Sequence, residues 1–108
     1  PVLINDQSWE LNGVMEGTIQ NDNGILKMYY MNSSGTGFGI ATSTNGINWT
    51  KSNLNPFFTT SSTYNNWAED QISYPSVVSV NNEVRLYYCG NGPSTYEHRI
   101  GMMKRSNN

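Results

Sequence analysis

The side chains able to do chemistry in this 108-residue chain are acids and aromatic rings, scattered among amides and hydroxyls. Trp9, Tyr64, Trp67, Tyr74 and Tyr96 stand among Asn and Asp residues. An aromatic face packs against the C–H side of a sugar ring while amides and carboxylates grip its hydroxyls, so these are the parts of a carbohydrate site. Trp9 and Trp67 also have a plainer reading, as packing residues. The acids on offer include Glu10, Glu16, Glu69, Asp70, Glu83 and Glu97. Other chemistries find little support. His98, the lone histidine, has no Ser or Cys in a nucleophile context beside it, and one His cannot build a His-rich metal cage. Neither a metal nor a cofactor is expected. Cys89, the lone cysteine, excludes an internal disulfide and reads as a small buried apolar group.

Composition narrows the partners. The 6 basic and 8 acidic side chains leave a charge of −2 with no Lys/Arg cluster, so there is no electrostatic footprint for nucleic acid or an anionic membrane. No apolar run approaches the ~20 residues of a membrane span, and no signal peptide is seen, so the default location is cytoplasmic. Pro1 has two readings, a trimmed chain or a native start left when an initiator Met is removed, and the second is preferred. The two sequons, Asn32-Ser33-Ser34 and Asn48-Trp49-Thr50, read as chance matches in an Asn/Ser/Thr-rich chain. Aromatic residues make up 12% of the chain, which argues against disorder, and the length allows a single domain.

The elements that position these residues are strands. No stretch sustains a helical apolar period. Val14–Gln20, Ile25–Met31, Phe38–Thr42 and Ile47–Lys51 are short runs rich in β-branched and aromatic residues. Asn23-Gly24 and Asn45-Gly46 punctuate them and tolerate the positive φ of tight hairpin turns. The pattern predicts an antiparallel meander of four strands.

That meander recurs at a shift of 58 residues. Trp9 falls on Trp67, Val14 on Ile72, Glu16 on Tyr74, Ile19 on Val77, Lys27 on Arg85 and Tyr29-Tyr30 on Tyr87-Tyr88. After a four-residue insertion, Phe38-Gly39-Ile40 matches Ile100-Gly101-Met102, and Pro56-Phe57-Phe58 echoes Pro1-Val2-Leu3. The chain is thus one domain of two repeats, about 1–55 and 56–108. Four strands per repeat of this length predict an all-β fold of two β-propeller blades. The second strands, Ile25–Met31 and Val84–Cys89, are apolar on both faces, as strands packed between neighbouring blades would be. The competing fold is a stand-alone sandwich.

The second copy stops at Ser106-Asn107-Asn108, before a fourth strand. Val2–Ile4 could supply an outer strand, from the same chain or from a neighbour. Two blades cannot close a ring, since propellers take about 4–8. Either the chain closes by self-association, as a homotrimer of six blades with a four-bladed dimer the rarer option, or it is a piece of something longer.

The motifs Lys27-Met28-Tyr29-Tyr30-Met31, Gly39–Lys51, Asn55-Pro56, Tyr74-Pro75-Ser76-Val77-Val78 and Arg99-Ile100-Gly101 carry a family resemblance. The chain resembles blades of the five-bladed propeller glycosidases of the arabinanase/xylosidase and invertase/levansucrase type, with the related mannoside phosphorylases. Ser43–Trp49 is also similar to the Asp-box of sialidases, with Asn45 in place of Asp, and reads as a structural turn. The resemblance implies a catalytic carboxylate just before Pro-Ser-Val on an inner strand. Tyr74 holds that slot in the second copy and Glu16 in the first, so Glu16 is the candidate channel acid. Arg99 matches the family's Arg before Ile-Gly and would reach toward substrate.

Glycoside hydrolysis needs a second carboxylate, about 5–5.5 Å away for retention or 6.5–9.5 Å for inversion. Glu10 and Glu69 are available, and Asp70, close to Trp67 and to the inner strand, is the partner chosen. Glu83 in a hairpin turn and Glu97 in the insertion read as exposed. Three functions follow as expectations. The first is a carbohydrate-binding module with Trp9, Trp67, Tyr74 and Arg99 as substrate-binding residues and sites in the channel or between subunits. The second is a glycosidase whose acids, Glu16 and Asp70, pair across subunits. The third is a structural assembly module or a fragment, without a ligand.

Overall fold

Of the two turns the sequence predicts, Asn23-Gly24 is a tight hairpin, whereas at Asn45-Gly46 only Gly46 takes a positive φ (77°). Asn23 and Gly24 both take positive φ (53° and 92°), as do Asn81 and Asn82 (49° and 63°), the signature of two-residue primed hairpins. The first hairpin joins β1 (Val14–Asp22) to β2 (Ile25–Asn32), and the meander continues into β3 (Gly37–Ser43) and β4 (Thr50–Lys51). A second unit repeats it: β6 (Gln71–Val80), β7 (Glu83–Asn91) and β8 (Arg99–Ser106). Between the units lies β5 (Phe58–Thr59), and three-residue 3₁₀ turns cover Ser8–Glu10, Thr60–Ser62 and Tyr64–Asn66. The structure, a computed structural model, describes residues 1–93 and 97–106; Tyr96 and the Asn107-Asn108 end of the second copy lie outside the described residues.

The strands form two antiparallel sheets. One runs β1-β2-β3-β4 with β5 also on β3, and the other runs β6-β7-β8. The fold is all-β, as expected, and each sheet is a blade-like meander. The second blade has three strands among the described residues rather than four. Val2–Ile4 forms no strand, and it lies beside Trp49 and Lys51 of the first blade rather than completing the second.

The expected strand Ile47–Lys51 shrinks to Thr50–Lys51 for a local reason. Asn45 Oδ1 accepts the N–H groups of Ile47 and Asn48 at 2.9 Å each, and the Trp49 indole donates to Gly46 C=O at 3.1 Å. An Asx turn thereby holds residues that would otherwise extend. Along the same edge of β3 the Asn55 side chain stands in for backbone. Its Oδ1 accepts Ile40 N–H at 2.9 Å and its Nδ2 donates to Ile40 C=O at 3.0 Å. The edge is taken up again by Phe58, which pairs with Phe38, so this segment beyond residue 55 belongs to the first sheet.

Between the sheets lies one core of Tyr29, Met31, Phe38, Phe58, Ala68, Ile72, Val84, Leu86 and Tyr88. Phe58 stacks near Phe38 with centroids 6.1 Å apart and meets Tyr88 at 5.4 Å, so the linking segment wedges the blades together. The inner strands β1 and β6 run side by side in the same direction. Val77 N–H donates to Thr18 Oγ1 at 3.3 Å, and two residues on Gln20 Nε2 donates to Ser79 Oγ at 2.8 Å.

The expectation of two-sided burial holds for one blade only. In β2, Met28 through Asn32 are all buried. In β7, Val84, Leu86 and Tyr88 are buried, but Tyr87 between them is 39% exposed. One face of β7 meets the first blade, and the other has no neighbour among the described residues.

Candidate functional site

The repeat extends to an irregularity that neither copy's composition announces. β1 and β2 lose register between Met15 and Thr18, and β6 and β7 lose it between Ser73 and Ser76, at the same shift of 58. Inside these bulges Glu16 has φ 54° and Tyr74 has φ 55°. The left-handed region is unfavourable for residues with a Cβ, by roughly 1–2 kcal/mol. Bulges re-aim side chains, and backbone strain of this kind gathers at functional sites. Both side chains are exposed.

The two bulges lie at the same end of neighbouring inner strands. Met15 pairs with Met31, and the Met31 sulfur accepts the Tyr74 N–H at 3.4 Å. Glu16 and Tyr74, a carboxylate and an exposed aromatic ring, thus occupy equivalent bulges on neighbouring inner strands. Beside Glu16, the residues Pro1–Leu3, Val14, Met15, Gly17, Met28 and Tyr30 line an open depression of about 180 Å³.

The remaining candidates are placed elsewhere. Asp70 is exposed and four residues before Tyr74, and its N–H donates to Asn91 C=O at 3.2 Å. That separation is about 13 Å of extended chain. Glu69 beside it is exposed too. Arg99 opens β8, two strands out from β6, and pairs with Glu97 at 3.4 Å on the surface. Trp9 lies on Tyr30 with centroids 5.5 Å apart, and Trp67 on Tyr88 at 5.9 Å. Each indole also covers a glycine. A Cβ on Gly39 would come within 2.5 Å of Trp9, and one on Gly101 within 2.4 Å of Trp67. Expected as sugar platforms, these two indoles are placed as half-buried blade-packing groups.

Glu10, considered as a second acid, is buried completely. Its carboxylate meets Lys51 Nζ at 2.8 Å, accepts the Tyr30 hydroxyl at 2.7 Å, and takes the N–H groups of Asp6 and Gln7 at 2.9 and 3.1 Å. Burial by itself would raise its pKa. The hydrogen bonds from Lys51, Tyr30, Gln7 and Asp6 outweigh that and hold it below the usual carboxylate range. Burial, then the hydrogen bond and charge of Glu10, push the Tyr30 hydroxyl far above the ordinary tyrosine range. Lys51 also pairs with Asp6 at 2.6 Å. This is a pin between the N-terminal segment and β4, with its acid held as the anion. Sequence reading missed it because Glu10 and Lys51 are 41 residues apart.

Among the described residues no group of three His, Cys, Asp or Glu side chains is placed to hold a metal ion, and no helix is long and apolar enough to cross a membrane.

No family model and no curated protein matches the sequence. Solved structures do match. A thermostable family-43 glycoside hydrolase superposes on 88% of this chain with TM-score 0.72 at 17% identity. The GH43_1 enzyme from Xanthomonas citri, complexed with xylose, covers 84% with TM-score 0.70 at 15% identity. The native arabinanase of Bacillus subtilis covers 86% with TM-score 0.64 at 18% identity. The fold is therefore that of blades from the five-bladed β-propeller glycoside hydrolases. The chain spans 29%, 28% and 33% of these three proteins, respectively.

Proposed function

We propose that this chain is a carbohydrate-binding propeller module, with its sites around the inner-strand ends of a ring built from several copies, most simply a homotrimer of six blades. The observation that carries the reading is the pair of equivalent bulges at Glu16 and Tyr74. In this reading the carboxylate of Glu16 accepts sugar hydroxyls and the ring of Tyr74, on the neighbouring inner strand, stacks on the sugar face. Asp70 and Arg99 would then act as outlying contacts at most, and Trp9 and Trp67 as the packing that holds the inner strands. The likeness to the xylose complex and to the arabinanase makes xylo- and arabino-oligosaccharides the first ligands to offer.

Isothermal titration with these oligosaccharides tests the reading. Saturable binding that Tyr74→Ala and Glu16→Gln each weaken tenfold or more supports it, since such a loss is about 1.4 kcal/mol of contact. Absence of saturable binding to a broad oligosaccharide panel overturns it and leaves an assembly module. Hydrolysis is the second reading, supported by the repetition of Glu16 about a ring axis, which would set acids of neighbouring subunits against one another. In that case Glu16→Gln abolishes turnover and retains binding.

A further inference from the structure

The contact between the two blades has a second half on the molecule's outer surface. On the first blade it is made by Thr18, Tyr29, Met31 and Phe38. Thr18 Oγ1 and the Met31 sulfur accept the N–H groups of Val77 and Tyr74, Tyr29 meets Phe57 edge-on at 5.9 Å, and Phe38 pairs with Phe58. The repeat places Ser76, Tyr87, Cys89 and Ile100 at the same four positions of the second blade. A hydroxyl falls on a hydroxyl, a ring on a ring, a sulfur on a sulfur and an apolar group on an apolar group. Tyr87, Cys89 and Ile100 lie on the face of β7 and β8 that has no neighbour among the described residues, with Ser76 of β6 opposite Tyr87. Tyr87 is 39% and Ile100 71% exposed, with Met102 beside them at 45%.

The complementary half is on the first blade. Val77 and Tyr74 correspond to Ile19 and Glu16, and Phe57 and Phe58 to Val2 and Leu3. Leu3 lines the same depression as Tyr30, the equivalent of the Tyr88 that Phe58 touches. Among the described residues, Pro1–Leu3 make no hydrogen bond and β8 pairs with β7 alone. An unpaired edge and an unpaired segment are thus left on opposite sides of one chain.

We propose that the outer face of the second blade binds the first blade of another copy of this chain, head to tail. Pro1–Ile4 of one copy adds to the β8 edge of the next, with Leu3 opposite Ile100 and Ile4 opposite Arg99. This continues the interface already present inside the chain by one more repeat, and a head-to-tail contact closes into a ring or extends as a fibre. It rests on the ring of the proposed function and specifies the contact that builds it.

The test uses the whole chain. Directly opposed strand residues bring Cβ atoms to about 4.5–5.5 Å, close to the reach of a disulfide. Leu3→Cys with Ile100→Cys, in a Cys89→Ala background, is oxidised and run without reductant; bands at two and three chains are expected, and neither single cysteine gives the three-chain band. In parallel, light scattering follows Ile100→Asp, whose site is exposed, with circular dichroism as the check of folding. A fall from a three-chain to a one-chain mass supports the contact. An oligomer that survives Ile100→Asp and gives no cross-link overturns this face and register while the ring stands. A parent chain that stays monomeric up to millimolar concentration overturns both.

Discussion

The two blades share a backbone plan and differ in how they are fastened. Both have the primed hairpin, the bulge with a positive φ, and an indole laid over a tyrosine and a glycine. Where the first blade has Glu10, however, the second has Ala68, and both positions are completely buried. The carboxylate is tolerable in the first blade because Lys51 on β4 meets it at 2.8 Å. The second blade has no such strand among its described residues, and an acid there would be buried without a counter-charge. An ionised group survives burial only with its partner, so the first blade carries its acid where Lys51 can meet it.

The sharpest way to break that comparison is Glu10→Ala. It leaves Lys51 with only the exposed Asp6 as counter-charge and frees the Tyr30 hydroxyl, an expected loss of about 3 kcal/mol in urea unfolding, the low end for a broken buried pair because Asp6 still meets Lys51. A loss below about 1 kcal/mol would mean that the pin contributes no more than a surface pair. The same carboxylate sets an acid limit. Because its pKa is lowered in the folded chain, its contribution is complete above the ordinary carboxylate range and fades as pH falls through the folded value. Glu10→Gln, measured by thermal melts from pH 7 to pH 2, is expected to flatten that acid decline.

Gly39→Ala and Gly101→Ala come next, since each added methyl would land on an indole. Overpacking of this kind costs roughly 1–3 kcal/mol, and the two variants are expected to agree closely in their denaturation midpoints. A much smaller effect at Gly101 would show that the second blade yields where the first does not. The smallest effect is a gain. Glu16→Gly removes the positive-φ strain and is expected to stabilise by roughly 1 kcal/mol, reduced by the greater chain entropy of glycine. Oligosaccharide binding measured on the same variant should fall as its melting temperature rises; unchanged binding would separate the bulge from the site.

Much of the site was legible only as an alignment. The shift of 58 puts Tyr74 on Glu16 without any structure, but neither residue type announces a left-handed backbone, which glycine or asparagine would have suggested. The role of Glu10 was hidden more deeply. It is one of eight acids in the sequence, and only the approach of β4 turns it from a solvated carboxylate into a buried anion.

The sequence by itself determined the strands, their turns and the doubling of the unit. Those depend on alternation, on Asn-Gly and Asn-Asn geometry and on a repeat, all of which act within a few residues or by simple register. Tertiary structure decided the rest: the packing of Trp9 and Trp67 against tyrosines, the placing of the Glu16 and Tyr74 bulges on neighbouring inner strands, and the free outer face of β7. Each of these is a competition between groups distant in sequence or between rival hydrogen bonds. Its outcome is set by which neighbours lie within a few ångströms in the folded chain, and residue type alone does not encode that.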